Sequence, residues 1–173
     1  LDASLRYMHT LIPYKMKIQL LIYGLLLSLL TVHAADKNTR WQTYLAMYNT
    51  VAVAEAENNV YAVADGTLYS YGKSDDNIRV YSRQTGLSDS DVSLIRYSAS
   101  TRTLLIAYAN GNIDLMTADG VYNLPFLKNS TNIQDKTLNA IDIDGDRAYL
   151  SVNFGLLVVD LRKREIAATY RLG

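Results

Sequence analysis

Within these 173 residues the groups that could do acid–base or ligand chemistry are carboxylates and tyrosines. Cysteine is absent and histidine occurs only at His9 and His33. There is therefore no thiol nucleophile, no disulfide and no Cys-based zinc site. Ser-His-Asp chemistry needs an imidazole, and both histidines precede the part of the chain expected to fold. Paired carboxylates can hydrolyse glycosides without histidine when two converge at a set separation. The candidates are Asp65, Asp114 and Asp142, which sit at turns or along strands of different repeat units. Nothing in their spacing brings two of them together. Asp142-Ile143-Asp144-Gly145-Asp146 sets oxygen ligands on alternate positions, like the start of a calcium loop. A full EF-hand loop needs flanking helices and a carboxylate at its twelfth position, which here is Asn153. The stretch reads instead as an Asp-Gly hairpin between strands. Asp75-Asp76-Asn77 and Asp89-Ser90-Asp91 read as solvated turns. No P-loop, G-x-G-x-x-G or H-E-x-x-H motif is present. The expectation is a chain without catalytic residues, cofactor or metal ligands.

Tyrosine is the more informative residue. Tyr61, Tyr69, Tyr71, Tyr81, Tyr97, Tyr108, Tyr122 and Tyr149 punctuate the apolar stretches. Each can bury a ring and still offer a hydroxyl, which suits packing and also carbohydrate or protein contact. Packing is the simpler reading. Arg162-Lys163-Arg164 is expected to form a charged hairpin between two outer strands. With 17 basic and 17 acidic residues, the chain lacks the basic excess of a nucleic-acid binder. A hydrophobic fraction of 49% is enough to bury a core.

Within the N-terminal fifth of the chain, residues 16–34 are read as a targeting segment. Met16 and Lys17 begin a short positive region, Ile18 to Leu30 is mostly apolar, and Val32-His33-Ala34 places short residues at the −3 and −1 positions. That is the pattern of a secretory signal, with cleavage expected between Ala34 and Ala35. The 13-residue apolar run is short of the roughly 20 residues that span a bilayer as a helix. Residues 1–15 read as an upstream extension, 16–34 as signal peptide and 35–173 as the folded domain. Removing residues 1–34 takes away both histidines and leaves 14 basic and 16 acidic residues.

Positioning what remains falls to a repeat. Val60 to Tyr69, Leu104 to Leu115 and Ala148 to Val159 each read as an apolar strand, a tight turn at glycine and a second apolar strand. The glycines, Gly66, Gly111 and Gly155, lie 45 and 44 residues apart. A strand-built period of roughly 40–50 residues is the mark of propeller blades. Val51 to Ala54, Val92 to Tyr97 and Leu138 to Ile143 supply innermost strands. Ile78 to Tyr81, Val121 to Leu124 and Glu165 to Tyr170 supply outermost ones. Asp65-Gly66, Asn110-Gly111, Asp119-Gly120 and Asp144-Gly145 are hairpin dipeptides. The predicted fold is all-β, a partial β-propeller of about three four-stranded blades preceded by a helical signal peptide. Three blades do not close a ring of the usual four to eight, so the chain is expected to be the N-terminal part of a longer protein. Trp41 to Met47 would then complete the ring's last blade. The outward face of the third blade, carried by strands such as Leu156 to Val159, is expected to be exposed.

Gln84-Thr85-Gly86-Leu87-Ser88-Asp89 followed by Val92 resembles the turn of two-component-regulator propeller repeats. Ala107 to Leu115, Ala148 to Leu161 and Ala168 to Gly173 resemble the N-terminal β-propeller of PorZ-type proteins, over about residues 41–173. The resemblance implies two seven-bladed propellers and a small C-terminal β-domain, of which this chain would carry about three blades. It also implies a place at the cell surface in the type IX secretion attachment complex, which joins cargo to anionic lipopolysaccharide and whose sortase is a different subunit. The function expected is a non-enzymatic, exported scaffold or binding module. Its partners would be other attachment-complex proteins, with surface lipopolysaccharide or glycan as a further candidate, and no nucleic acid. The alternative is the extracellular glycan-sensing propeller of a hybrid two-component regulator. No functional residue is carried over from either family.

Overall fold

The computed structural model describes residues 48–171, and before them Tyr14, Met16, Ile18, Gln19, Leu21, Ile22 and Tyr23, all helical. The expected cleavage site at Ala34 and Ala35 and the strand expected over Trp41 to Met47 lie outside the described residues. The chain divides into two compact units, Leu1–Tyr44 and Leu45–Gly173. Among the described residues no helix is long and apolar enough to cross a membrane.

The second unit is three antiparallel four-stranded sheets, each a simple meander. Blade 1 is β1 (Thr50–Glu55), β2 (Asn59–Ala64), β3 (Thr67–Gly72) and β4 (Ile78–Tyr81). Blade 2 is β5 (Val92–Ser98), β6 (Thr103–Tyr108), β7 (Ile113–Thr117) and β8 (Gly120–Asn123). Blade 3 is β9 (Leu138–Asp144), β10 (Arg147–Val152), β11 (Gly155–Asp160) and β12 (Glu165–Arg171). A single helical turn, α1 (Phe126–Asn129), sits in the connection between blades 2 and 3. The first strands of the three blades are neighbours, β5 lying between β1 and β9.

Side chains on a strand alternate between faces, so each blade offers two apolar surfaces. Two cores follow. One holds Val63 and Leu68 of blade 1 against Ile95, Leu104, Ile106 and Tyr108 of blade 2. The other holds Leu105, Ala107, Ile113 and Leu115 of blade 2 against Leu150, Leu157 and Val159 of blade 3. β6 contributes to both, which is why all six of its residues are buried and why it reads as an unbroken apolar run.

Asp65 and Gly66 take φ of 48° and 72° at the β2–β3 turn, both positive as a mirror-image hairpin turn requires. Gly111 (φ 82°) lies between β6 and β7. Gly155 is not a turn centre of that kind. It opens β11 with φ 144°, and a Cβ there would stand 2.0 Å from the Tyr170 carbonyl oxygen. Its missing side chain is what lets β12 close against β11.

Exposed apolar surface occurs at both ends of the array, in blade 3 at Tyr170 of β12, which pairs with Leu156 and is 59% exposed, and more extensively in blade 1. In blade 3, Leu157 and Val159 face blade 2 and Val158 is 3% exposed. In blade 1, the cross-strand rows Val53–Ala62–Tyr69–Val80 and Val60–Tyr71–Ile78 lie on the face turned away from blade 2. There Val53 and Ile78 are 58% and 59% exposed.

Candidate functional site

Asp65, Asp114 and Asp142 sit on three different sheets. Asp65 is an exposed turn residue. Asp142 is exposed on β9, with Arg96 of β5 at 3.7 Å. Asp114 is wholly buried on β7. Its Oδ2 accepts from the Tyr108 hydroxyl at 2.6 Å and from the Ser88 backbone N–H at 2.8 Å, and its Oδ1 from the Asn123 amide at 2.8 Å. A buried carboxylate needs such partners. Burial, then the Asp114 hydrogen bond, pushes the Tyr108 hydroxyl far above the ordinary tyrosine range. Three strands and the Gly86–Asp89 connection meet on one side chain, a structural knot rather than half of an acid–base pair.

Asp89, expected in a solvated turn, is tied down as well. Its Oδ2 accepts from Lys128 of α1 at 2.7 Å and from Asn110 at 2.6 Å, and its Oδ1 from the Ser90 N–H at 3.1 Å. Burial alone would raise its pKa, but the hydrogen bonds from Lys128, Asn110 and Ser90, with the Lys128 charge, pull it down to about 2. The connection between blades 1 and 2 is thus pinned to the one between blades 2 and 3.

In the stretch weighed as a calcium loop, Asp144 ends β9 and the β9–β10 turn is Gly145 and Asp146, one residue beyond the expected Asp144-Gly145 dipeptide; Asp146 is clasped by Arg162 at 2.8 and 2.9 Å, and the Gly145 carbonyl accepts from Ser100 at 2.6 Å. Asn153 bonds to Asn139 at 2.7 Å and to Asp135. No three histidine, cysteine, aspartate or glutamate residues gather as a metal site among the described residues.

The feature that sequence reasoning missed is a cleft of about 460 Å³ between blades 1 and 2. Register explains it. The row Ala54–Tyr61–Ser70–Arg79 of blade 1 and the row Tyr97–Leu104–Met116–Val121 of blade 2 lie on the facing sides of the two sheets. Ala54 and Ser70 are too small to fill the gap, so Tyr61, Tyr81 and Tyr97 stand around it half-buried. Tyr61 and Tyr81 are tilted rings 6.1 Å apart, and Tyr81 shares a 3.1 Å hydroxyl bond with Ser70. Burial, reinforced by Tyr81, lifts the Tyr61 hydroxyl to about 12. Burial and the nearby Glu57 also raise Tyr97. Arg102 reaches Glu57 across the rim at 3.2 Å, and Arg79 adds a second guanidinium. The tyrosines were named from the sequence. Their convergence, from three strands on two blades, has no sequence signal short of the register itself.

Successive antiparallel four-stranded blades, packed through apolar faces with their first strands adjacent, define a segment of β-propeller. The family described as the TSS9, PorZ, N-terminal beta-propeller domain matches residues 60–173. The chain belongs to that family.

Among solved structures it is similar to PorZ of Porphyromonas gingivalis, with 45% identity and a TM-score of 0.69 over 73% of this chain and 17% of that one. That protein is described as an essential bacterial surface component of the type-IX secretion system. The chain thus spans about one-sixth of the length of that relative. The extracellular domain of a hybrid two-component system from B. thetaiotaomicron superposes with a TM-score of 0.60 at 12% identity, covering 72% of this chain and 17% of that one. AztD from Citrobacter koseri does so with 0.53 at 16%, covering 72% and 34%. These two likenesses show the fold alone. No curated protein matches the chain.

Proposed function

We propose that this chain is part of a non-enzymatic component of a type IX secretion apparatus, working at the cell surface as a scaffold for other secretion proteins. The observation that carries this is the 45% identity to a PorZ described as an essential surface component of that system, over blades whose register leaves no slack for a different fold. Non-enzymatic action is supported by where the carboxylates are used: Asp114 fastens three strands to a connection and Asp89 pins two connections together. Export fits residues 16–34 acting as a cleaved signal, with 35–173 entering the assembly. Surface lipopolysaccharide or glycan is a secondary partner class, for which the half-buried tyrosines offer the chemistry.

Treating intact cells with protease tests the location. On this reading the protein is digested without lysis, while a cytoplasmic control survives. Full protection in intact cells and digestion only after lysis would overturn it.

A further inference from the structure

We propose that Asn110 is a site of covalent modification, a deamidating Asn-Gly step that is held in check while its side chain is tied to Asp89 and that undoes the pin between the two interblade connections once it reacts. The inference is independent of the secretion reading.

Asn110-Gly111 is the one Asn-Gly pair in the sequence. A side-chain amide followed by glycine is labile in water, because glycine has no side chain to shield its backbone nitrogen. The Gly111 nitrogen loses its proton and attacks the Asn110 Cγ. A C–N bond forms, the side-chain nitrogen takes up a proton and leaves as ammonia, and a succinimide ring results. Water then opens the ring at either carbonyl, giving an aspartyl or an isoaspartyl residue at position 110.

The fold guards the atoms of this step. Asn110 is exposed in the connection from β6 to β7, yet its side chain is tied at both ends. Its amide donates to Asp89 Oδ2 at 2.6 Å, and its Oδ1 accepts from the Asn112 N–H at 3.0 Å. The attacking nitrogen is occupied too, since the Gly111 N–H donates to the Tyr108 carbonyl at 3.0 Å. Gly111 also lies beneath the connection between blades 2 and 3. A Cβ on it would stand 2.8 Å from the Lys136 Cβ and 3.1 Å from the Leu127 Cγ. That backbone has no room to swing toward the Asn110 side chain while Leu127 and Lys136 stay seated. Gly120, in the next turn of the same blade, has nothing within 4 Å, so the crowding is particular to Gly111. Reaction therefore waits for local opening, and its rate follows the fraction of time the pin is open.

The same contacts decide what the reaction does. Asp89 Oδ2 gathers the Asn110 amide at 2.6 Å, the Lys128 ammonium at 2.7 Å and the Asn112 amide at 3.4 Å. Deamidation replaces the nearest of these donors by a second carboxylate. Like charges that close oppose each other's ionised form, and the one Lys128 charge must then serve both. The isoaspartyl product also lengthens the backbone by one carbon where Gly111 already fills its space. Either product releases the Asp89 connection from α1.

The full chain held at mildly alkaline pH tests this, with the aspartyl and isoaspartyl forms of the peptide spanning position 110 counted by chromatography and mass spectrometry. In the urea-unfolded chain Asn110 should react faster than any other asparagine. In the folded parent its rate should fall at least about tenfold. Asp89→Ala should restore much of that rate at Asn110 and leave Asn139 and Asn153 as slow as in the parent. If this variant unfolds, all asparagines accelerate together, and urea below the parent's transition then gives the reading. There Asn110 should accelerate before Asn139 and Asn153, and the reverse order overturns the proposal. Asn110→Asp should speed amide exchange at Ser88–Asp91 and Leu127–Asn129 with an unchanged β-sheet circular dichroism spectrum. A folded parent that deamidates at Asn110 as fast as the unfolded chain, a folded Asp89→Ala variant with the parent's rate, or unchanged exchange in Asn110→Asp would each overturn it as well.

Discussion

The hydroxyl of Tyr108 lies 2.6 Å from the carboxylate of Asp114, and neither side chain reaches solvent. The pair faces blade 1 from inside blade 2. Removing the carboxylate leaves the Tyr108 hydroxyl, the Ser88 N–H and the Asn123 amide to find other acceptors in the interior. Asp114→Ala should therefore destabilise the domain by about 3–5 kcal/mol, and Tyr108→Phe by about 1–2 kcal/mol. Urea unfolding of both variants checks the order. Equal losses would mean the hydroxyl, not the carboxylate, is the hub.

Asp89 gives a pH signature. Its pKa of about 2 lies below the unfolded value of about 3.9, so its contribution is complete above that value and disappears as pH falls toward 2. The contribution is about 2 kcal/mol. Asp89→Asn should lower stability at pH 7 and flatten the loss between about pH 4 and pH 2. A variant whose acid denaturation curve parallels the parent's would show that Lys128 and Asn110 do not hold this carboxylate.

Gly155 and Gly120 separate crowding from backbone strain. Both have φ near 143°, at 144° and 142°. A Cβ at Gly155 meets the Tyr170 carbonyl, whereas one at Gly120 has nothing within 4 Å. Gly120→Ala carries the strain alone, about 1–3 kcal/mol. Gly155→Ala should cost clearly more and release β12, seen as faster amide exchange from Glu165 to Arg171. Similar costs and unchanged exchange would show that β12 does not depend on this approach.

Much of the fold is legible in the chain because the repeat is written twice, in glycine spacing and in period-two apolar runs. β6 shows the limit of that reading. Its unbroken apolar run signals burial on both faces, but not which residues meet which neighbour. Asp114 was legible in part: Ile113 and Leu115 face blade 3, so the residue between them must face blade 1, a buried place for an acid. That Tyr108, Ser88 and Asn123 converge there depends on β5–β8 register. Lys128 meeting Asp89 across 39 residues, and the three-tyrosine cleft, depend on how blades pack.

The outward face of blade 1 makes a solubility prediction. Val53 and Ile78 are more than half exposed on a face of apolar cross-strand rows, and contiguous apolar surface of that kind promotes association. Val53→Lys with Ile78→Lys should reduce light scattering of the concentrated protein and leave stability within about 0.5 kcal/mol. Unchanged association would place the sticky surface elsewhere.

The central claim is that these three blades serve type IX secretion as a scaffold and not as an enzyme. Its most direct test is an in-frame chromosomal deletion of residues 48–171, with quantitation of cargo at the cell surface and in the periplasm. The account predicts that surface cargo is lost and accumulates unprocessed inside the envelope. It also predicts that re-expression carrying Asp65→Asn together with Asp142→Asn, both exposed carboxylates outside the structural knots, restores secretion fully. Normal surface cargo after the deletion, or failure of the double variant to restore it while the protein is present at parental level, would contradict the account.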